Sequence, residues 1–204
     1  MKRKVMSARN LVLLALLLAM VVVLQLLGSF VRFGPFSISL VLMPIVVGAA
    51  IAGPYAGGAL GLAFGFAVLL SGNAALFLAV NAPAAVAVVL LKGMLAGQAS
   101  GIVYRLFSKV NQTAAALLAA AVCPIVNTGV FVIGTYVFFL PTVAEWGVEA
   151  GAVSVTAYIF LGMIGLNFLI ELGLNLALGS VIVRLIQYGL DKREEQGGKN
   201  PVEF

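Results

Sequence analysis

Residues 38–72, ISLVLMPIVVGAAIAGPYAGGALGLAFGFAVLLSG, contain no charged side chain and are interrupted only around Pro54 and Tyr55. The stretch is too long for one helical crossing of a hydrocarbon core about 30 Å thick, and its interruption is made of turn formers. It reads as two short helices, 38–53 and 56–72, folded into a tight hairpin. Further apolar blocks flank it at 10–28, 84–107, 113–140 and 153–188. In lipid the backbone must satisfy its own hydrogen bonds, so each block is expected to be a helix. The predicted fold is an all-α integral membrane protein: a bundle of six transmembrane helices within residues 1–190, followed by a polar cytoplasmic tail, 191–204.

Composition supports this. Of 204 residues, 63% are apolar and 9% charged, too few charges to clothe a soluble domain of this size. The basic residues mark topology rather than nucleic-acid binding. With both termini in the cytoplasm, Lys2, Arg3, Lys4, Arg9, Arg105, Lys109, Arg184, Lys192, Arg193 and Lys199 fall inside, as the positive-inside rule requires. Arg32 is then outside and Lys92 lies within a span. The basic start followed by an apolar run to Gly28 also has the form of a signal peptide. It is read as a first span because its apolar run is span-length and no clear small-residue cleavage site follows.

Two outer connections are expected to do more than link helices. Residues 30–37, FVRFGPFS, place aromatics around Arg32 and are read as a lid over the bundle mouth. Residues 73–83, NAALFLAVNAP, are read as irregular backbone dipping into the outer leaflet, tolerated only against protein or a water-filled cavity. Residues 141–151 are read as an ordinary interfacial loop.

Catalysis finds no material. There is no histidine and one cysteine, Cys123, so neither a Cys–His pair nor a thiolate metal site can be built. No phosphate-cradling Gly-Lys-Ser or Gly-Lys-Thr sequence is present. No enzyme activity and no cofactor are expected, and any pumping must draw energy from another chain.

The polar residues inside spans are the candidate binding site. Asn167, Glu171 and Asn175 recur every four residues and so share one helix side. Lys92, Asn127 and Glu171 lie about midway along spans four, five and six, at one depth. Ionisable groups in a membrane are costly and often mark a ligand path, although the same set could be a structural clasp. Ala15 and Ala19 in span one, and Gly57, Gly61 and Gly65 in span three, form small-residue faces. Such faces serve internal packing or a separate membrane partner, and two on neighbouring spans favour the partner.

These features together resemble the substrate-binding subunit, or S component, of energy-coupling factor (ECF) vitamin transporters. The resemblance rests on the basic N-terminus, ALLLA at 15–19, the run 37–65, KGMLAGQASGIVYRLF at 92–107, NTGVF at 127–131 and NFLIELGLN at 167–175. It implies a six-helix cell-membrane subunit that captures a vitamin from outside and works with a membrane coupling protein and two ABC-type ATPases. It also implies that Ala15 and Ala19 dock the coupling protein and that the loop after span one caps the site. Arg32, Lys92, Asn127, Asn167 and Glu171 are the expected substrate contacts; Ala15, Ala19, Gly57, Gly61 and Gly65 are the expected docking residues. Trp146 is the sole tryptophan, which argues against a tryptophan-rich thiamine-type site. Pantothenate is the first candidate, its carboxylate suiting Arg32 or Lys92, with riboflavin and folate next. An autonomous facilitator or secondary transporter, or a membrane scaffold, are the competing readings.

Overall fold

The computed structural model describes residues 8–29, 32–33, 36–37 and 41–179. The tail 191–204, the end of the last expected span and the basic residues at positions 2–4 lie outside the described residues. Helix α1 is Ala8–Gly28. Two short strands, β1 (Arg32–Phe33) and β2 (Phe36–Ser37), pair antiparallel with Arg32 opposite Ser37. Helices α2 (Leu42–Ala52), α3 (Pro54–Leu70), α4 (Ala75–Phe107), α5 (Gln112–Phe138) and α6 (Leu140–Glu149) follow. The last described helix, α7, is Val155–Gly179. Among the described residues, α1, α4, α5 and α7 are long and apolar enough to cross a membrane, while α2 and α3 are shorter apolar helices.

The hairpin at the centre of the sequence forms, with its turn one residue earlier than expected. Gly53 has φ +92°, a conformation costly for any residue with a Cβ, and Pro54 is already the first residue of α3. A proline suits that position because its missing N–H would have no helical partner there.

Helix α3 then packs along α4 through facing glycines. A Cβ on Gly61 would strike the Gly93 carbonyl and one on Gly93 the Gly61 carbonyl; Gly57 and Gly97 meet in the same reciprocal way. Gly65 lies against the Val89 and Leu90 backbone, and a Cβ on Gly101 would come 2.7 Å from Pro54 Cα. Backbones approach this closely only where side chains are absent. The α3 glycine face is therefore filled by α4. Gly57, Gly61 and Gly65 are buried inside the chain, which corrects their assignment as docking residues for a separate protein. The matching repeat Gly93, Gly97 and Gly101 on α4 is what decides the matter.

Below this seam, Val21, Leu42, Ile45 and Phe64 are fully buried and join α1, α2 and α3. Helix α5 presents Ala115, Ala116, Ala119 and Ala120 to the same core, and buried Ser100 Oγ donates to the Ala119 carbonyl at 3.0 Å, tying α4 to α5.

The segment expected to be irregular, 73–83, is largely helical. Helix α4 starts at Ala75, and its one non-helical residue is Asn81, with φ −151° and ψ 91°. Asn81 Oδ1 accepts from Ala84 N at 3.2 Å, the arrangement of a helix N-cap. Pro83 follows near the start of the new helical segment, where it is tolerated, but it cannot continue the turn behind it. The apolar ALFLAV thus makes its own helical turn and a capped crossing helix restarts at Asn81.

Residues 141–151, expected as a loop, mostly form α6, which buries Val143 and Gly147 and exposes Glu145 and Glu149. In α7, Ser154 caps the start by accepting from Ala157 N at 3.1 Å, and Tyr158–Gly165 is a π-helix.

Candidate ligand cavity

Polar residues from several helices converge on one open cavity beside the glycine seam, enclosing about 770 Å³ of free space with its mouth included. Because α4 presses Gly93 and Gly97 onto α3, Lys92 and Val89 turn along its flank into this space. Helix α5 contributes Asn127, Thr128 and Phe131, and α7 contributes Met163, Ile164, Asn167, Phe168 and Glu171. Pairs four apart, Asn127 with Phe131 and Asn167 with Glu171, present to one side as helical geometry requires. A π-helical turn shifts side chains from the α-helical register, and here it precedes the site on α7 and carries Met163 and Ile164 into its wall.

Aromatic surface holds the charged centre. Lys92 Nζ lies 5.8 Å from the Phe64 ring centroid and 5.3 Å from that of Phe131, within the range of cation–π attraction. Phe131 continues a wall of edge-to-face rings: Phe77 stands 5.5 Å from Phe131, 5.0 Å from Phe139 and 5.7 Å from Trp146. Glu171, 7% exposed, lines the same cavity as Lys92. One amine and one carboxyl thus line the same cavity between aromatic walls, where a low dielectric strengthens any charge contact.

The amides are incompletely used. Asn127 Oδ1 and Asn167 Oδ1 are shielded from solvent and have no hydrogen-bond partner among the described residues. A buried amide without its bonds is costly, so such groups call for a partner that completes them.

Of the expected substrate contacts, the structure brings Lys92, Asn127, Asn167 and Glu171 to one cavity. The Arg32 backbone lies in β1, and its side chain lies outside the described part of the molecule. Asn175, the third residue of the α7 stripe, does not line the cavity. It is buried, and its Nδ2 donates to the Glu171 carbonyl at 2.8 Å, a bond within its own helix.

Sequence reasoning missed Gln25, Asn73 and Phe77 as lining residues. Gln25 is 2% exposed and donates through Nε2 to Ser71 Oγ at 3.3 Å, which itself donates to the Val68 carbonyl at 3.0 Å. Its signal was present: Gln25 is the only polar side chain in residues 11–28, and a lone polar group in a span faces protein or water. Phe77 had no such signal, since an apolar residue in an apolar run has no preferred side.

Ala15 and Ala19 lie on the outward side of α1, exposed beside Leu16 and Met20. Unlike the α3 glycines, this face is not filled by any of the described residues.

A family model described as "ECF transporter, substrate-specific component" matches residues 9–183. No curated protein shows significant sequence similarity to the chain. A solved structure of ThiT from Listeria monocytogenes superposes with a TM-score of 0.57 at 23% identity, covering 90% of this chain and 97% of that one. At that identity the likeness speaks for the fold alone.

Proposed function

The chain belongs to the family of ECF-transporter substrate-specific components, a family of transport subunits rather than enzymes, and from that membership we propose that its central cavity binds a vitamin-sized molecule for uptake. The observation that carries this reading is the convergence of Lys92, Asn127, Asn167 and Glu171 on one aromatic-walled cavity. Lys92 would meet an acidic or acceptor group of the ligand, while Glu171 and the asparagines would meet its hydroxyls and N–H groups.

Pantothenate fits the lysine through its carboxylate. Phe64, Phe77, Phe131 and Phe168 along the wall favour instead a ligand with a flat ring, such as riboflavin or folate, because stacked and edge-on rings add attraction beyond burial. In this reading the chain is a multi-pass cell-membrane subunit with six crossings and both termini cytoplasmic, and Arg32 closes the outer mouth. The exposed Ala15 and Ala19 face of α1 docks a membrane coupling protein powered by two ABC-type ATPases. Mass spectrometry of small molecules copurifying with the detergent-solubilised chain tests the function. A stoichiometric pantothenate or flavin identifies the ligand; preparations from vitamin-fed cells that hold no small molecule, and that bind none on addition, overturn the reading.

A further inference from the structure

A second concavity lies at the opposite end of α4 from its Asn81 break, bounded by Pro54 at the start of α3 and by Ile102, Arg105, Leu106 and Lys109. Ile102, Arg105 and Leu106 are spaced three and four apart and so share one face at the end of α4, and Lys109 follows in the turn just beyond it. Ile102 and Leu106 are 49% and 65% exposed, and Arg105 and Lys109 are exposed beside them. The apolar pair and the cationic pair are thus arranged along a single groove.

The bland account is that these cations only mark topology and complement the negative end of the helix. It leaves two facts unused: the groove is concave, and its charge has no counterpart close by among the described residues. The acids among the described residues are Glu145, Glu149 and Glu171, and none of them lines it. A purely anionic solute would have no use for Ile102 and Leu106, whereas an apolar chain would have none for the cations.

We propose that this groove binds an anionic phospholipid, its phosphate held by Arg105 and Lys109 and its acyl chains lying on Ile102 and Leu106 against Pro54. On the topology proposed above, with the termini cytoplasmic, the site faces the inner leaflet, where basic side chains near the surface attract acidic headgroups. The proposal is independent of what the central cavity carries.

Native mass spectrometry of the full-length chain in detergent tests it, with phosphatidylglycerol, phosphatidylcholine and deacylated glycerophosphoglycerol as probes. Wild type should retain phosphatidylglycerol over phosphatidylcholine, and R105Q/K109Q should retain about tenfold less. R105K/K109R, which keeps both charges, should restore most of the binding; since all these side chains are exposed, the variants should elute as the wild type does. Equal retention by wild type and R105Q/K109Q overturns the proposal. Displacement of the lipid by equimolar glycerophosphoglycerol also overturns it, because the site would then be a free-anion site. So does the finding that R105Q/K109Q changes no lipid binding but exposes residues 191–204 to protease, since the groove would then hold the chain's own polar tail.

Discussion

The seam between α3 and α4 and the cavity beside it are built from neighbouring residues of the same helix to opposite ends. At the seam, Gly93 and Gly97 put backbone on backbone and leave no room for a methyl group. One residue away, Lys92 lies between two rings in the cavity that Asn127 and Asn167 also line, and the Oδ1 atoms of both amides have no hydrogen-bond partner among the described residues. Tight packing of small residues makes the α3–α4 pair rigid in lipid, where no hydrophobic force draws helices together. A rigid seam can hold costly polar groups in position next to it, so the lesson is division of labour along a single helix.

The strongest way to break that comparison is to fill the seam. Gly61→Leu should cost about 3 kcal/mol or more, because the new side chain meets backbone that cannot move aside. The expected result is loss of a monodisperse peak on gel filtration in detergent. A well-folded variant would show that the seam is not the rigid element.

Next in size, replacing both Ala15 and Ala19 by Trp should abolish assembly with the coupling protein in copurification. Ligand affinity should stay within a few-fold, because this face points away from the cavity. Equal loss of ligand binding would place the face in the bundle's own packing.

Glu171→Gln should weaken ligand binding about tenfold, or about 1.4 kcal/mol, by removing a charged acceptor while keeping shape. It also removes the carboxyl that shares the cavity with Lys92, so yield should fall, and adding Lys92→Met should recover yield without recovering affinity. Intact affinity in Glu171→Gln, with a stability defect cured by the double variant, would make the pair a clasp rather than a site.

The smallest effect is expected at Gln25→Leu. Removing the bond to Ser71 should cost about 1 kcal/mol and slightly sharpen or weaken ligand binding according to whether Gln25 touches the ligand. A titration following Trp146 fluorescence reads it, because Trp146 packs on the cavity wall through Phe77. A loss as large as that of Glu171→Gln would move the centre of the site toward α1.

The sequence by itself determined the membrane setting, the helical hairpin around residue 54 and the grouping of Lys92, Asn127 and Glu171, which line one cavity. These follow from hydropathy, turn chemistry and helix rise, which act over short stretches of chain. Tertiary structure alone decided which face meets which. Gly57, Gly61 and Gly65 could serve a partner or the bundle until Gly93 and Gly97 were found opposite them. Asn167, Glu171 and Asn175 share one stripe, yet only the first two reach the cavity, while Asn175 turns back to its own helix. Phe77 enters the wall because Asn81 interrupts α4 and α6 brings Trp146 against it. A small or apolar residue in a membrane helix reads the same on every side; its role depends on the neighbour that arrives from elsewhere in the chain.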